Sequence, residues 1–171
     1  MNLDSYIRRV PDFPKKGILF YDVTTLMKDT VAFRQSIRLL AQRYKGRGID
    51  VIVGVESRGF IIGSALAYEI GCGFVPARKP GKLPSKTVRA EYTLEYGTDA
   101  IEIHKDSITQ GQTILLVDDL IATGGTIRAA ASLVEHLGGN IHEIAFLIDL
   151  VNLHDNLPYP SFSLLKYKVD E

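Results

Sequence analysis

Apolar residues along this chain gather into short unbroken runs, separated by stretches of helical periodicity. "DVIVGV" (50–55), "GFVPAR" (73–78), "TILLVDD" (113–119) and "IHEIAFLIDL" (141–150) read as strands covered on both faces. Between them the period changes. Residues 29–48 read as a helix that Asp29 or Thr30 can cap, with Val31, Phe33, Ile37, Leu40, Ala41 and Tyr44 favouring one side and glycines at its end. A second helix starts at Arg58 or Gly59 and stops at Gly71; a third covers 127–137 and stops at Gly138-Gly139. Buried strand, helix and buried strand in alternation predict an α/β fold, a mainly parallel sheet flanked by helices on both faces.

Residues 78–112 break that pattern. "KPGKLPSKTVR" (79–89) is basic and rich in Pro, Gly and Ser, as in a mobile surface loop. "EYTLEYG" and "AIEIHKD" then alternate apolar and polar positions, predicting two half-exposed antiparallel strands. A cation-bearing hairpin inserted in an α/β domain is more often a lid or binding loop than a packing device.

The length, 171 residues, suits one domain over 1–171 with this loop, about 78–100, inserted. Twenty basic and twenty acidic side chains give a formal net charge of +0, so nothing global marks a nucleic-acid binder, and any affinity for phosphate must be local. The single cysteine, Cys72, excludes an intramolecular disulfide, and its apolar surroundings fit an inert buried thiol. There is no apolar run of membrane-span length, and the polar start "MNLDSYIRRV" is unlike a signal peptide; a soluble cytoplasmic protein is expected.

The local phosphate site is legible in "ILLVDDLIATGGT" (114–126). Asp118 and Asp119 fall at the carboxyl end of a predicted strand, where ligands of parallel α/β sheets bind. Thr123-Gly124-Gly125-Thr126 leads into a helix whose free N–H groups and positive dipole end attract an anion. Carboxylates repel phosphate, but the conflict disappears for a sugar phosphate: the carboxylates accept hydrogen bonds from ribose hydroxyls while the loop takes the phosphate at the other end of the sugar. Competing motifs fail. "GVESRGF" (54–60) has P-loop glycine spacing but Phe60-Ile61 in place of Lys and Ser/Thr, and His104, His136, His142 and His154 lie too far apart for a metal-site motif.

"LLVDDLIATGGT" (115–126) resembles the signature for 5-phosphoribosyl 1-pyrophosphate (PRPP) in type I phosphoribosyltransferases. "PDFPKKGILFYDVT" (11–24), "VGVESRGFIIGSALA" (53–67), "ARKPGKLPSKTVRAEYTLEYG" (77–97) and "FSLLKY" (162–167) are similar, in order and at compatible spacing, to the adenine-specific branch of that family. The resemblance implies transfer of ribose 5-phosphate from PRPP to N9 of adenine, giving AMP and pyrophosphate. It implies that Asp118 and Asp119 hold the ribose hydroxyls, and that Ala122, Thr123, Gly124, Gly125 and Thr126 hold the 5-phosphate. Glu56, Ser57 and Arg58 correspond to the pyrophosphate loop, with a non-proline cis peptide expected at Glu56–Ser57. Arg78, Lys79 and Lys82 are the cations of the hood, and Glu95 occupies the position of the catalytic carboxylate. Around adenine the resemblance puts Phe20 against the ring, the backbone of Leu19 and Tyr21 at its edge, and Leu150 as an apolar wall. Tyr21 departs from the basic residue expected after that phenylalanine.

Breaking the C1–O bond of PRPP leaves positive charge on the ribose and negative charge on pyrophosphate, so electrostatic and geometric catalysis is expected. Mg²⁺, held mainly by substrate and water, is the expected cofactor, and the family typically forms homodimers. Two alternatives stay open: the same fold acting on hypoxanthine, guanine or xanthine, and a PRPP-binding regulator without chemistry. The chain has no residues to spare for a helix-turn-helix domain, which disfavours the latter.

Overall fold

A computed structural model describes residues 1–94 and 97–169. A 3-10 turn (Leu3–Tyr6) leads into strands β1 (Arg8–Pro11) and β2 (Leu19–Asp22), an antiparallel pair. Helices α1 (Thr24–Lys28) and α2 (Thr30–Tyr44), strand β3 (Val51–Val55), helix α3 (Arg58–Ile70) and strand β4 (Gly73–Ala77) follow. The antiparallel hairpin β5 (Thr87–Thr93) and β6 (Thr98–His104) comes next, then β7 (Thr113–Val117), the short β8 (Leu120–Ile121), α4 (Gly125–His136), β9 (Asn140–Leu150) and β10 (Ser161–Tyr167). The main sheet has the order β10-β9-β7-β3-β4, with β8 added on β9, and every pairing in it is parallel. This is the expected mainly parallel sheet flanked by helices, carrying an inserted antiparallel hairpin.

Side-chain alternation along the central strands divides the interior in two. Ile52, Leu115, Val117, Ala145 and Leu147 face α1, α2, α3 and the N-terminal hairpin. Val51, Val53, Val55, Leu116 and Phe146 face the other way, against α4 and the β5–β6 hairpin. Each strand thus buries both faces, which is why the sequence reads there as continuous apolar runs. Helix ends follow local chemistry. The Asp29 side chain accepts from the backbone N–H of Val31 and Ala32 at 3.0 and 2.8 Å, and Gly71 closes α3 in the left-handed conformation. Among the described residues no helix is long and apolar enough to cross a membrane.

The structure corrects several sequence expectations. Val31 is 60% exposed, and the buried side of α2 runs instead through Ala32, Ser36, Ile37, Leu40, Ala41 and Tyr44. One residue along a helix turns the side chain by about 100°, so Val31 and Ala32 cannot share a face. Helix α4 begins at Gly125, earlier than the apolar periodicity suggested. Strand β5 starts at Thr87, inside the stretch read as loop, because Val88, Ala90 and Tyr92 pack on the second core. Its partner β6 is more than half-buried, with Ala100, Ile101 and Ile103 covered. The pair β1–β2 and the edge strand β10 carry no strand pattern in the sequence, because the first two are only four residues long and β10 is half-exposed.

Candidate active site

The carboxyl ends of β3 and β7, adjacent in the sheet, deliver the turn at Glu56-Ser57 and the pair Asp118-Asp119 to one place. Backbone bonds hold the acidic pair rigidly. Asp118 N–H donates to Ala145 O at 3.1 Å, and the N–H groups of Leu147 and Ile148 both donate to Asp119 O at 3.0 Å. The Glu56–Ser57 peptide is cis, as the resemblance implied. Helix α3 starts immediately beyond it and runs close against β7: a Cβ on Gly59 would lie 2.9 Å from Val117 O and 3.0 Å from Asp118 Oδ1. Only glycine permits that approach.

A cleft of about 270 Å³ opens here, lined by Glu56, Ser57, Arg58, Lys79, Asp118, Asp119 and Thr126, together with Tyr92, Ile101 and Leu120. A second hollow of about 150 Å³ adjoins it and is lined by 120–127 with Asp118 and Phe146. Gly124, at φ +82°, caps α4, so Gly125, Thr126 and Ile127 form the first turn, whose N–H groups lack intrahelical partners. Carboxylates and a helix N-terminus therefore meet within one concavity, as the DDLIATGGT spacing predicts, and Arg58 and Lys79 join them there.

Arg58 and Lys79, the cations lining the cleft, each pair with a carboxylate. Arg58 Nε donates to the carboxylate of Asp119, which is 5% exposed, and its guanidinium lies 5.8 Å from the Phe20 ring centroid. Burial works against the Arg58 charge, but Asp119, then Asp118 and Asp22, outweigh it and raise its pKa. Asp118 is the opposite case: burial, then the neighbouring Asp119 carboxylate, push it well above the usual carboxylate range. Lys79 donates from its backbone N–H to Glu56 at 2.8 Å, and its Nζ donates to Tyr92 Oη at 2.9 Å and to the Asp99 carboxylate. Arg78 forms an antiparallel bridge with Glu102 and lies 3.4 Å from Glu56.

Not every expected residue converges. Lys82 is exposed on the loop and lines neither hollow. Glu95 lies outside the described residues. Leu19 is exposed and Phe20 half-buried beside Arg58, whereas Tyr21 and Leu150 are enclosed in the first core at 6% exposure each. Tyr92 and Asp99, which hold Lys79, escaped the sequence reading. They face each other across β5–β6, a pairing that depends on hairpin register and carries no linear motif.

Comparison with known proteins agrees with this geometry. The sequence profile of the phosphoribosyl transferase domain matches residues 23–156. An adenine phosphoribosyltransferase of Chlorobium luteolum is 61% identical over 155 residues, spanning 90% of this chain and 88% of its own length. The crystal structure of adenine phosphoribosyltransferase from Thermoanaerobacter pseudethanolicus superposes with a TM-score of 0.92 at 53% identity, covering 96% of this chain and 98% of that one. The Saccharomyces cerevisiae enzyme, solved with adenine and an imino-altritol bisphosphate, gives a TM-score of 0.90 at 41% identity, with 95% and 96% coverage. Sequence, fold and cleft thus agree that the chain belongs to the phosphoribosyltransferase family, among the adenine phosphoribosyltransferases.

Proposed function

We propose that this chain transfers the ribose 5-phosphate of PRPP to N9 of adenine, yielding AMP and pyrophosphate in purine salvage. The observation that carries the reading is the convergence of Asp118, Asp119, Arg58 and the α4 N-terminus on a single cleft. A ribose bridging the two hollows fits that charge order. Its hydroxyls donate to Asp118 and Asp119, and its 5-phosphate accepts from the N–H groups and hydroxyls of 122–126. The pyrophosphate then faces Ser57, which can donate a hydrogen bond, and Arg58 and Lys79, whose positive charges stabilise the anion that departs.

The bond from C1 to oxygen breaks as that from C1 to N9 forms, through an oxocarbenium-like state. The carboxylates below the ribose stabilise positive charge on the ring, and Arg58 stabilises negative charge on the leaving group. The acidic pair is held by the backbone bonds already described and Arg58 by its bond to Asp119, so little reorganisation accompanies the charge separation. Adenine loses its N9 proton, and Glu95 is the group assigned to stabilise or exchange it. Base binding is assigned to Phe20, the backbone of Leu19 and Tyr21, and the Leu150 wall; Lys82 is assigned to pyrophosphate on loop closure. Mg²⁺ would be held mainly by the substrate and water rather than by protein side chains, and would neutralise charge on the pyrophosphate. A cytoplasmic homodimer is the form we assign; Val31, Ile61 and Tyr68, at 60%, 47% and 89% exposure, are apolar side chains such a contact would cover.

Product analysis with PRPP and Mg²⁺ tests the reading, with adenine, hypoxanthine, guanine and xanthine offered in parallel. AMP from adenine alone is expected. A nucleotide from an oxopurine overturns the base assignment, and PRPP binding without any nucleotide favours a regulator.

A further inference from the structure

Tyr21 stands where the family's pattern leads one to expect a basic residue, and the reaction described above uses only its backbone. Its side chain is nonetheless the most buried of β2. It is 6% exposed and stacks on Tyr167 with ring centroids 4.6 Å apart and planes 16° from parallel. Tyr167 Oη donates to Asp4 at 2.6 Å, and Arg9 donates to the same carboxylate oxygen at 2.7 Å. The Arg9 guanidinium lies 5.2 Å from the Tyr167 ring centroid and 5.9 Å from that of Tyr21. Burial and the bond to Asp4 push the Tyr167 hydroxyl up, so it remains a donor throughout the physiological range. Four residues from the 3-10 turn, β1, β2 and β10 thereby form one closed cluster.

What gives the cluster meaning is its position. Tyr167 pairs in register with Leu150 at the end of β9, and its carbonyl accepts from Val151 N–H at 3.0 Å. One side of Tyr167 is therefore fixed to the strand carrying Leu150, while its ring face is fixed to the strand carrying Leu19 and Phe20. We propose that the Tyr21–Tyr167 stack is a positioning device that sets the separation of the two sides of the base site, with Arg9 and Asp4 locking Tyr167 in place. The inference rests on the assignment of Leu19–Tyr21 and Leu150 to adenine. In this chain the aromatic stack anchors β2 to β10.

Steady-state constants for adenine and PRPP on the full-length enzyme test the proposal. Tyr21→Leu removes the stack and is expected to raise the adenine KM about threefold to tenfold, with the PRPP KM within about twofold of wild type. Tyr21→Phe keeps the ring and is expected to restore most of that loss. Tyr167→Phe keeps the fold and the stack but loses the bond to Asp4; its adenine KM should rise about twofold to fivefold, which decides the matter if Tyr21→Leu does not fold. An unchanged adenine KM in these variants overturns the proposal, as does a parallel rise in both constants. Phe20→Ala separates the underlying assignment: a raised adenine KM supports it, whereas an unchanged one removes the base site from β2 and the positioning role with it.

Discussion

The carboxyl of Asp118 ends a buried strand with a second carboxylate one residue on, and burial followed by that neighbour raises its pKa well above the ordinary 3.8. For an acid raised in the folded state, the linkage runs against stability. Below about pH 3.8 both states hold the proton. As pH rises, the unfolded chain releases it first, so stability falls until the folded value is passed. Asp118→Asn removes this dependence while keeping an oxygen to accept from Asp119 N–H, a bond of 2.8 Å. Thermal melts should show the variant more stable than wild type by a few degrees at pH 7, with the gain shrinking towards pH 4, and PRPP binding lost. A lower Tm at pH 7 would contradict the argument. The carboxylate is retained for the ligand at the expense of the empty fold.

At the scale of elements, the approach of α3 to β7 decides whether the pyrophosphate turn and the acidic pair share a cleft. Gly59 is the point of closest passage, and the atoms a Cβ would meet there include backbone that cannot rotate away. Gly59→Ala should cost about 1–3 kcal/mol, read by denaturant unfolding, and raise the PRPP KM because Arg58 moves off with its helix. Gly73→Ala is the comparison, since its nearest new contact would be Val51 Cγ2 at 3.5 Å, an ordinary distance. Comparable damage in both would place the cost in the strand and helix backbone rather than in the contact with β7. Element ends explain much of what the sequence revealed. Asp29 and Gly71 carry their own capping chemistry and are legible, whereas the periodicity of α2 does not place Val31, because one apolar residue near a helix start fits either side.

Across the whole molecule, buried parallel strands were readable because both faces are covered and the residues advertise it; DDLIATGGT was readable because strand end, loop and helix start are consecutive. What stayed hidden is assembled from distant segments. Tyr92 opposite Asp99 depends on hairpin register, and Tyr21 against Tyr167 brings together opposite ends of the chain. A ligand spanning β3, β7 and α4 should stabilise the molecule as a unit: PRPP with Mg²⁺ at about a hundred times its Kd contributes about 2.7 kcal/mol, or roughly 5–10 °C in Tm. A differential scanning melt with no shift under those conditions would argue against a site shared by these elements. The Arg58–Asp119 pair has a consequence for life among other metabolites. Asp119 engages Arg58 through Nε alone, so a free phosphate that reaches the remaining guanidinium N–H groups does so beside a carboxylate that repels it. A molecule offering a hydroxyl to Asp119 and an anion to Arg58 satisfies both partners at once, and preference for it over the phosphate background follows from the pair itself.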